Sequence, residues 1–162
     1  MNLQPQMNRN DPPRFRPPLA GCVARDFGMA NALKSCYIEA FSMIAANIYR
    51  SLRCAERDRT LSELFEAIAV EELEKFRLLG ELIIALGGDG ELRSCRRRTG
   101  GYALRGEEAH VFLEESLAER KRNIDRYETL MSKTGDRVVR SVLAKLLSGE
   151  RRILDRLREH CG

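Results

Sequence analysis

The chain has 162 residues, 43% of them apolar and 32% charged, with a formal net charge of +4. That is enough for one domain with a real core and a heavily charged outside. So mild a positive excess requires no nucleic-acid partner, and no stretch approaches the ~20 apolar residues that span a bilayer. Cys22, Cys36, Cys54, Cys95 and Cys161 form no C-x-x-C pair, which argues against a disulfide framework and against a zinc knuckle.

Residues 1–18 hold all five prolines and little that could be buried, and read as a tail, mobile or draped over a partner chain. They lack the apolar run of a secretory signal. With scattered cysteines, the expectation is a reducing, cytoplasmic setting. Residues 19–162 then read as one helical domain. A first helix is expected over about 20–54, where Leu33, Tyr37, Phe41, Ile44, Ile48 and Leu52 recur every three or four residues. A second is expected over 60–86, opened by a Thr60/Glu63 capping box. Its apolar stripe is Leu61, Phe65, Ile68, Phe76, Leu79, Ile83 and Leu86, and Gly87-Gly88 closes it with left-handed backbone.

Residues 87–106 show little periodicity. A third helix follows over about 107–133, with stripe Leu113, Leu117, Ile124, Tyr127 and Met131. Gly135 breaks it and Asp136 caps a fourth, over 136–160, with Val139, Leu143, Leu146, Ile153 and Leu157. Short turns make helices 1 and 2, and helices 3 and 4, antiparallel hairpins. A helix of about 24 residues is about 36 Å long, and twenty loop residues at up to ~3.3 Å each can run that length. The expected fold is therefore all-α: an antiparallel four-helix bundle with one long crossover between helices 2 and 3. The alternative is a plain up-down bundle.

Each stripe is interrupted near its middle. Glu72 lies between Ile68 and Phe76, with Lys75 on the same face. Arg120 lies between Leu117 and Ile124, and Glu150 between Leu146 and Ile153. The equivalent place in helix 1 is Ala40. Mid-bundle positions on facing helices meet at one level, so Glu72, Lys75, Arg120 and Glu150 should converge. Their charges cancel two against two, as burial demands. The alternative has some of them at the stripe edge, reaching out to solvent.

The segment Ile68–Gly90, IAVEELEKFRLLGELIIALGGDG, resembles the second helix of ferritin-like proteins, most nearly the rubrerythrin and spore-coat manganese-catalase-like branch. Ala118–Tyr127 looks like the third helix of that family, and Ala46–Leu52 like the end of the first. The resemblance implies a ferritin-like bundle over about 20–160. In that family a di-iron or di-manganese centre is held by a lone Glu from each of two helices and an E-x-x-H motif from each of the others. Carried onto this chain, Glu72 and Glu150 match ligand positions. The two histidine positions fall on Lys75 and Ile153, and the two lone glutamates on Arg120 and Ala40. Two ligands of six survive and two cations point into the site, so the resemblance implies a degenerate centre with a salt-bridge network in place of metals. No metal cofactor is then expected. A one-residue shift of register gives the alternative, a working iron or manganese site built from Glu39, Glu72, Glu119 and Glu150.

Other features are weaker. His110, His160 and Cys161 fall at one end of the bundle, as a transition-metal site or as solvated helix-end side chains. Arg93–Arg98, RSCRRR, is a short basic run, expected to be a solvated loop rather than a phosphate contact. Cys36 is expected to be a buried inert thiol. No Ser/His/Asp arrangement or phosphate-binding glycine loop is present. The expected function is a non-enzymatic structural or binding module. The alternative is a metal-carboxylate oxidoreductase or iron-handling protein. Ferritin-like relatives often pair through helix faces, which implies a homodimer.

Overall fold

In the computed structural model the described residues are 19, 21–92 and 109–161. They form four α-helices: α1 (Phe27–Cys54), α2 (Arg59–Ala85), α3 (Ala109–Lys133) and α4 (Arg137–Cys161). Among the described residues there is no strand, and no helix is long and apolar enough to cross a membrane. The 1–18 tail, most of the expected crossover and the Arg93–Arg98 run lie outside the described residues.

The helix ends follow from side-chain capping. Asp136 Oδ1 accepts from the backbone N–H groups of Val138 and Val139, starting α4 as expected. At the end of α2, Gly87 has φ +89°. The Gly87 and Gly88 N–H groups bond back to the Ile84 and Ile83 carbonyls, which terminates the helix. Two starts differ from expectation. Helix α1 begins at Phe27 rather than near residue 20, because Asp26 caps it by accepting from Met29 N–H. Helix α2 is capped by Asp58, which accepts from Leu61 N–H, and not by Thr60. Glu63 is therefore free to pair with Arg59 instead of closing a capping box.

Helices α1 and α2 pack along their lengths, as do α3 and α4; α2 also touches α4, and α1 touches α3. Tyr37 stacks on Phe76 with ring centroids 4.3 Å apart. At the other end of that pair Ser51 and Ser62 share a hydrogen bond of 3.0 Å. Cross-bundle ion pairs fix the directions. Glu71 meets Arg156 and Lys75 meets Glu150, so α2 and α4 are antiparallel. Glu39 meets Arg126 and Arg50 meets Glu119, so α1 and α3 are antiparallel too.

The core is in two apolar blocks. One gathers Leu33, Tyr37, Leu79, Leu82, Tyr127 and Leu143. The other gathers Leu61, Phe65, Ile68, Phe112, Ile153 and Leu157. Between them lies a layer of buried polar and charged side chains. The α4 stripe is buried as expected. The α1 stripe is correct only at Leu33 and Tyr37. Beyond them the helix turns Phe41, Ile48 and Leu52 to the surface and buries Ala40, Met43, Asn47, Arg50 and Cys54. The α3 face is likewise rotated by about one residue: Phe112, Ser116, Glu119, Asn123 and Leu130 are buried, while Leu113, Leu117, Ile124 and Met131 are half-buried.

Candidate functional site

The four expected charges converge. Arg120 comes from α3, at 1% exposure, and its Nη1 donates to Glu72 Oε1 on α2 and to Glu150 Oε2 on α4, the latter at 3.0 Å. Lys75, one turn along α2 from Glu72, lies 2.6 Å from Glu72 Oε2 and donates to Glu150 Oε1 at 2.5 Å. The two carboxylates are thus bridged twice, by a guanidinium and by an ammonium. The i, i+3 spacing of Glu72 and Lys75 puts both on the face of α2 that meets α4.

The other two expected positions are buried but outside the ion cluster. Ala40 belongs to the block with Tyr37 and Tyr127, and Ile153 to the block with Phe65 and Phe112. They flank the ionic layer from its two sides.

The layer extends further than the sequence reading anticipated. Arg50 of α1, equally buried, donates to both oxygens of Glu119, at 3.1 and 3.0 Å, and to half-exposed Glu115 at 3.2 Å. Its Nη1 also donates to Asn47 Oδ1 at 3.3 Å, and its guanidinium carbon sits 5.9 Å from the Phe65 ring centroid. Glu119 is also 3.9 Å from Arg120 Nη2. The result is a continuous run of alternating charge: Glu115, Arg50, Glu119, Arg120, then Glu72 and Glu150, then Lys75. Its buried members are three cations (Arg50, Lys75, Arg120) against three carboxylates (Glu72, Glu119, Glu150), which balance.

Arg50 was missed for a physical reason, and Glu119 was expected inside only in the register-shifted alternative. Ile48 and Leu52 look like the inner face of α1, and choosing them places Arg50 outside. The available signal was Asn47-x-x-Arg50-x-x-x-Cys54, a second helical stripe of polar and small residues.

Electrostatics within the layer are one-sided. Burial alone pushes the Glu72 carboxyl up, but Lys75 and Arg120 beside it more than offset that and hold it below the usual carboxylate range. Burial works against the charge on Arg120, and Glu72 and Glu150 overcome it, so its guanidinium is held more firmly protonated than usual. Arg50 follows the same pattern with Glu119 and Glu115. Next to the layer, burial raises the Tyr127 hydroxyl and the Cys36 thiol. Cys36 is therefore a protonated, unreactive side chain at neutral pH.

The donor set does not suit a pair of divalent cations. Glu72 and Glu150 have their oxygens turned to Arg120 and Lys75. A metal between them would sit against a guanidinium and an ammonium in a low-dielectric interior. The register-shifted set does not assemble either. Glu119 does face inward, but Arg50 holds it, and Glu39 sits at the bundle's side with Arg126. His160 is exposed with Nδ1 3.2 Å from the Arg156 carbonyl of its own helix, and His110 and Cys161 are exposed as well. Among the described residues no three His, Cys, Asp or Glu side chains are grouped to hold a metal ion.

No known family model matches the chain, and no characterised protein or solved structure is found similar to it.

Proposed function

We propose that the chain is a ferritin-like bundle whose di-metal centre has been replaced by an ionic layer, and that it acts as a structural or binding module rather than as a metal oxidoreductase. The observation that carries this reading is the double bridge of Glu72 and Glu150 by Arg120 and Lys75. Two carboxylates stand where the resemblance expects ligands, and cations occupy the space between them. The topology supports the same reading. With α1 antiparallel to both α2 and α3, helices α2 and α3 run the same way, which is the arrangement a long crossover between them calls for.

The proposed assembly is a homodimer through the outer face of α1. Between Lys34 and Arg53 the only charged residues of α1 are Glu39 and Arg50, and both are turned to α3. The outer face therefore presents Phe41, Ile48 and Leu52 with no charge among them on the helix, and α2 exposes Val70 and Leu73. A second copy suits such a strip, because an uncharged apolar face meets itself without repulsion.

Two measurements test the module reading. Elemental analysis of purified protein should find less than one iron or manganese per chain. The variant Ala40→Glu, Lys75→His, Arg120→Glu, Ile153→His restores the donor set around Glu72 and Glu150. Without metal it should be less stable than the parent, since four carboxylates crowd one dry layer. With iron or manganese its thermal midpoint should rise by mass action on the folded state. A folded variant with no metal-dependent rise would refute the ancestry of the site. An equal rise in the parent would refute its closure to metal.

A further inference from the structure

A pocket of about 200 Å³ opens between α2 and α4 beside the ionic layer. Its inner wall is Lys75 and Glu150, its apolar sides are Leu78 and Leu146, and its α4 rim carries Lys145, Gly149 and Arg152. Gly149 is the unusual member. It lies in the interior of a 25-residue helix, where glycine is the poorest residue other than proline. Nothing in the chain's own packing requires it there. A Cβ at this position would meet only the Arg152 guanidinium, at 4.0 Å. The missing side chain keeps the pocket open instead.

The charges around the pocket are unequally matched. Of its three carboxylates, Glu150 is held by Lys75 and Arg120, Glu71 by Arg156, and Glu74 faces Arg77 at 3.9 Å. Arg77 is held by Glu81. Lys145 and Arg152 have no acidic partner among the described residues. The lining therefore combines an apolar slot, walled by Leu78, Leu146 and the methylene stem of Lys75, with two unmatched cations at its mouth. The volume equals that of roughly six or seven water molecules in the liquid, which limits an occupant to a small molecule.

We propose that this pocket binds a small amphiphilic carboxylate, its apolar chain lying over Gly149 between Leu78 and Leu146 and its carboxylate between Lys145 and Arg152. This deepens the binding-module reading and rests on it for the intact Lys75–Glu150 wall. Gly149 is then a specificity residue, keeping open the space that the chain occupies at a cost to the helix.

The test uses the full chain with hexanoate as probe and hexanol and hexylamine as controls, followed by amide chemical shifts. Hexanoate should give saturable shifts centred on Leu78, Leu146 and Gly149, with hexanol at least tenfold weaker and hexylamine weaker still. Gly149→Ala should raise the thermal midpoint by about 2–4 °C while weakening hexanoate at least tenfold. Lys145→Glu with Arg152→Glu should abolish binding with the midpoint nearly unchanged. Non-saturating shifts, hexanol binding as tightly as hexanoate, or undiminished affinity in Gly149→Ala would each overturn the proposal. Metal content on the same samples reads the module reading separately: a metal-free parent that ignores hexanoate refutes the pocket alone, while a metal-loaded parent refutes the reading beneath it.

Discussion

Helix α4 hides valines, leucines and Ile153, exposes every arginine but half-buried Arg156, and admits one carboxylate, Glu150, to the interior. Helix α1 hides Asn47, Arg50 and Ser51 over the half of its length that exposes Phe41, Ile48 and Leu52. Both helices touch two neighbours, so the number of faces covered does not explain the contrast. Its cause is the company each inner face keeps. Glu150 enters an apolar stripe only because Arg120 and Lys75 arrive from α3 and α2. Arg50 enters because α3 offers Glu119 and Glu115 on one turn and α1 itself supplies Asn47 one turn back. Once cations and carboxylates pair across the helices, burial no longer tracks hydrophobicity.

The sharpest way to break this comparison is to remove one cation at a time. Arg120→Ala strands Glu72 and Glu150 with only Lys75 between them, and should cost roughly 3–5 kcal/mol in urea unfolding. Arg50→Ala should cost less, about 2–3 kcal/mol, because Glu115 can turn to water and Arg120 remains near Glu119. Equal costs would mean that the α1 end of the layer is as closed as the α4 end. A cost below about 1 kcal/mol for Arg120→Ala would mean that the layer is wet, or that its carboxylates bind protons.

Acid separates the ionic layer from the apolar blocks, since leucines do not titrate. The folded state holds Glu72 below its usual value near 4.5. Between the two values the unfolded chain binds more protons, so stability rises with pH there. Glu72's contribution is complete above about pH 4.5 and is lost as the pH falls through its depressed folded value. Each unit of depression corresponds to about 1.4 kcal/mol. Urea unfolding from pH 6 down to pH 2 should show this loss in the parent and a shallower slope in Glu72→Gln, from a lower starting stability. Matching slopes would assign the acid sensitivity to other carboxylates.

The two helices also mark what could be read in the sequence. In α4 one stripe carries the large apolar residues, and its single interruption, Glu150, is conspicuous; helix, face and charged residue were all legible. Glu72, Lys75 and Arg120 were legible for the same reason, as breaks in stripes. In α1 two stripes compete. The more hydrophobic one, Phe41–Ile44–Ile48–Leu52, attracts the assignment, while the buried one is built from Ala40, Met43, Asn47 and Arg50. No local rule ranks a polar stripe above an apolar one. Only the partners on α3 do, and those were themselves displaced by one residue, because Glu119 and Arg120 are adjacent and both face inward. The pocket was not legible at all: Gly149 reads as a blemish in a helix until the space beside it is seen.

The smallest expected effect probes the outer face of α1. Leu52 is 70% exposed and is a member of neither apolar block. In an isolated chain Leu52→Glu should change stability by less than about 0.5 kcal/mol, as surface substitutions do. Leu143→Ala, by contrast, should cost about 2–5 kcal/mol because it empties a filled core position on α4. A large intrinsic loss from Leu52→Glu would restore the hydrophobic stripe of α1 to the interior and reverse the comparison. The informative regime is high protein concentration. If two copies meet through Phe41, Ile48 and Leu52, a glutamate placed there confronts its own counterpart across the two-fold axis. Sedimentation velocity should then show the parent's concentration-dependent dimer collapse to monomer in Leu52→Glu, while the unfolding midpoint measured on dilute protein stays where it was. A parent that remains monomeric at every concentration would mean that something other than a second copy covers this face.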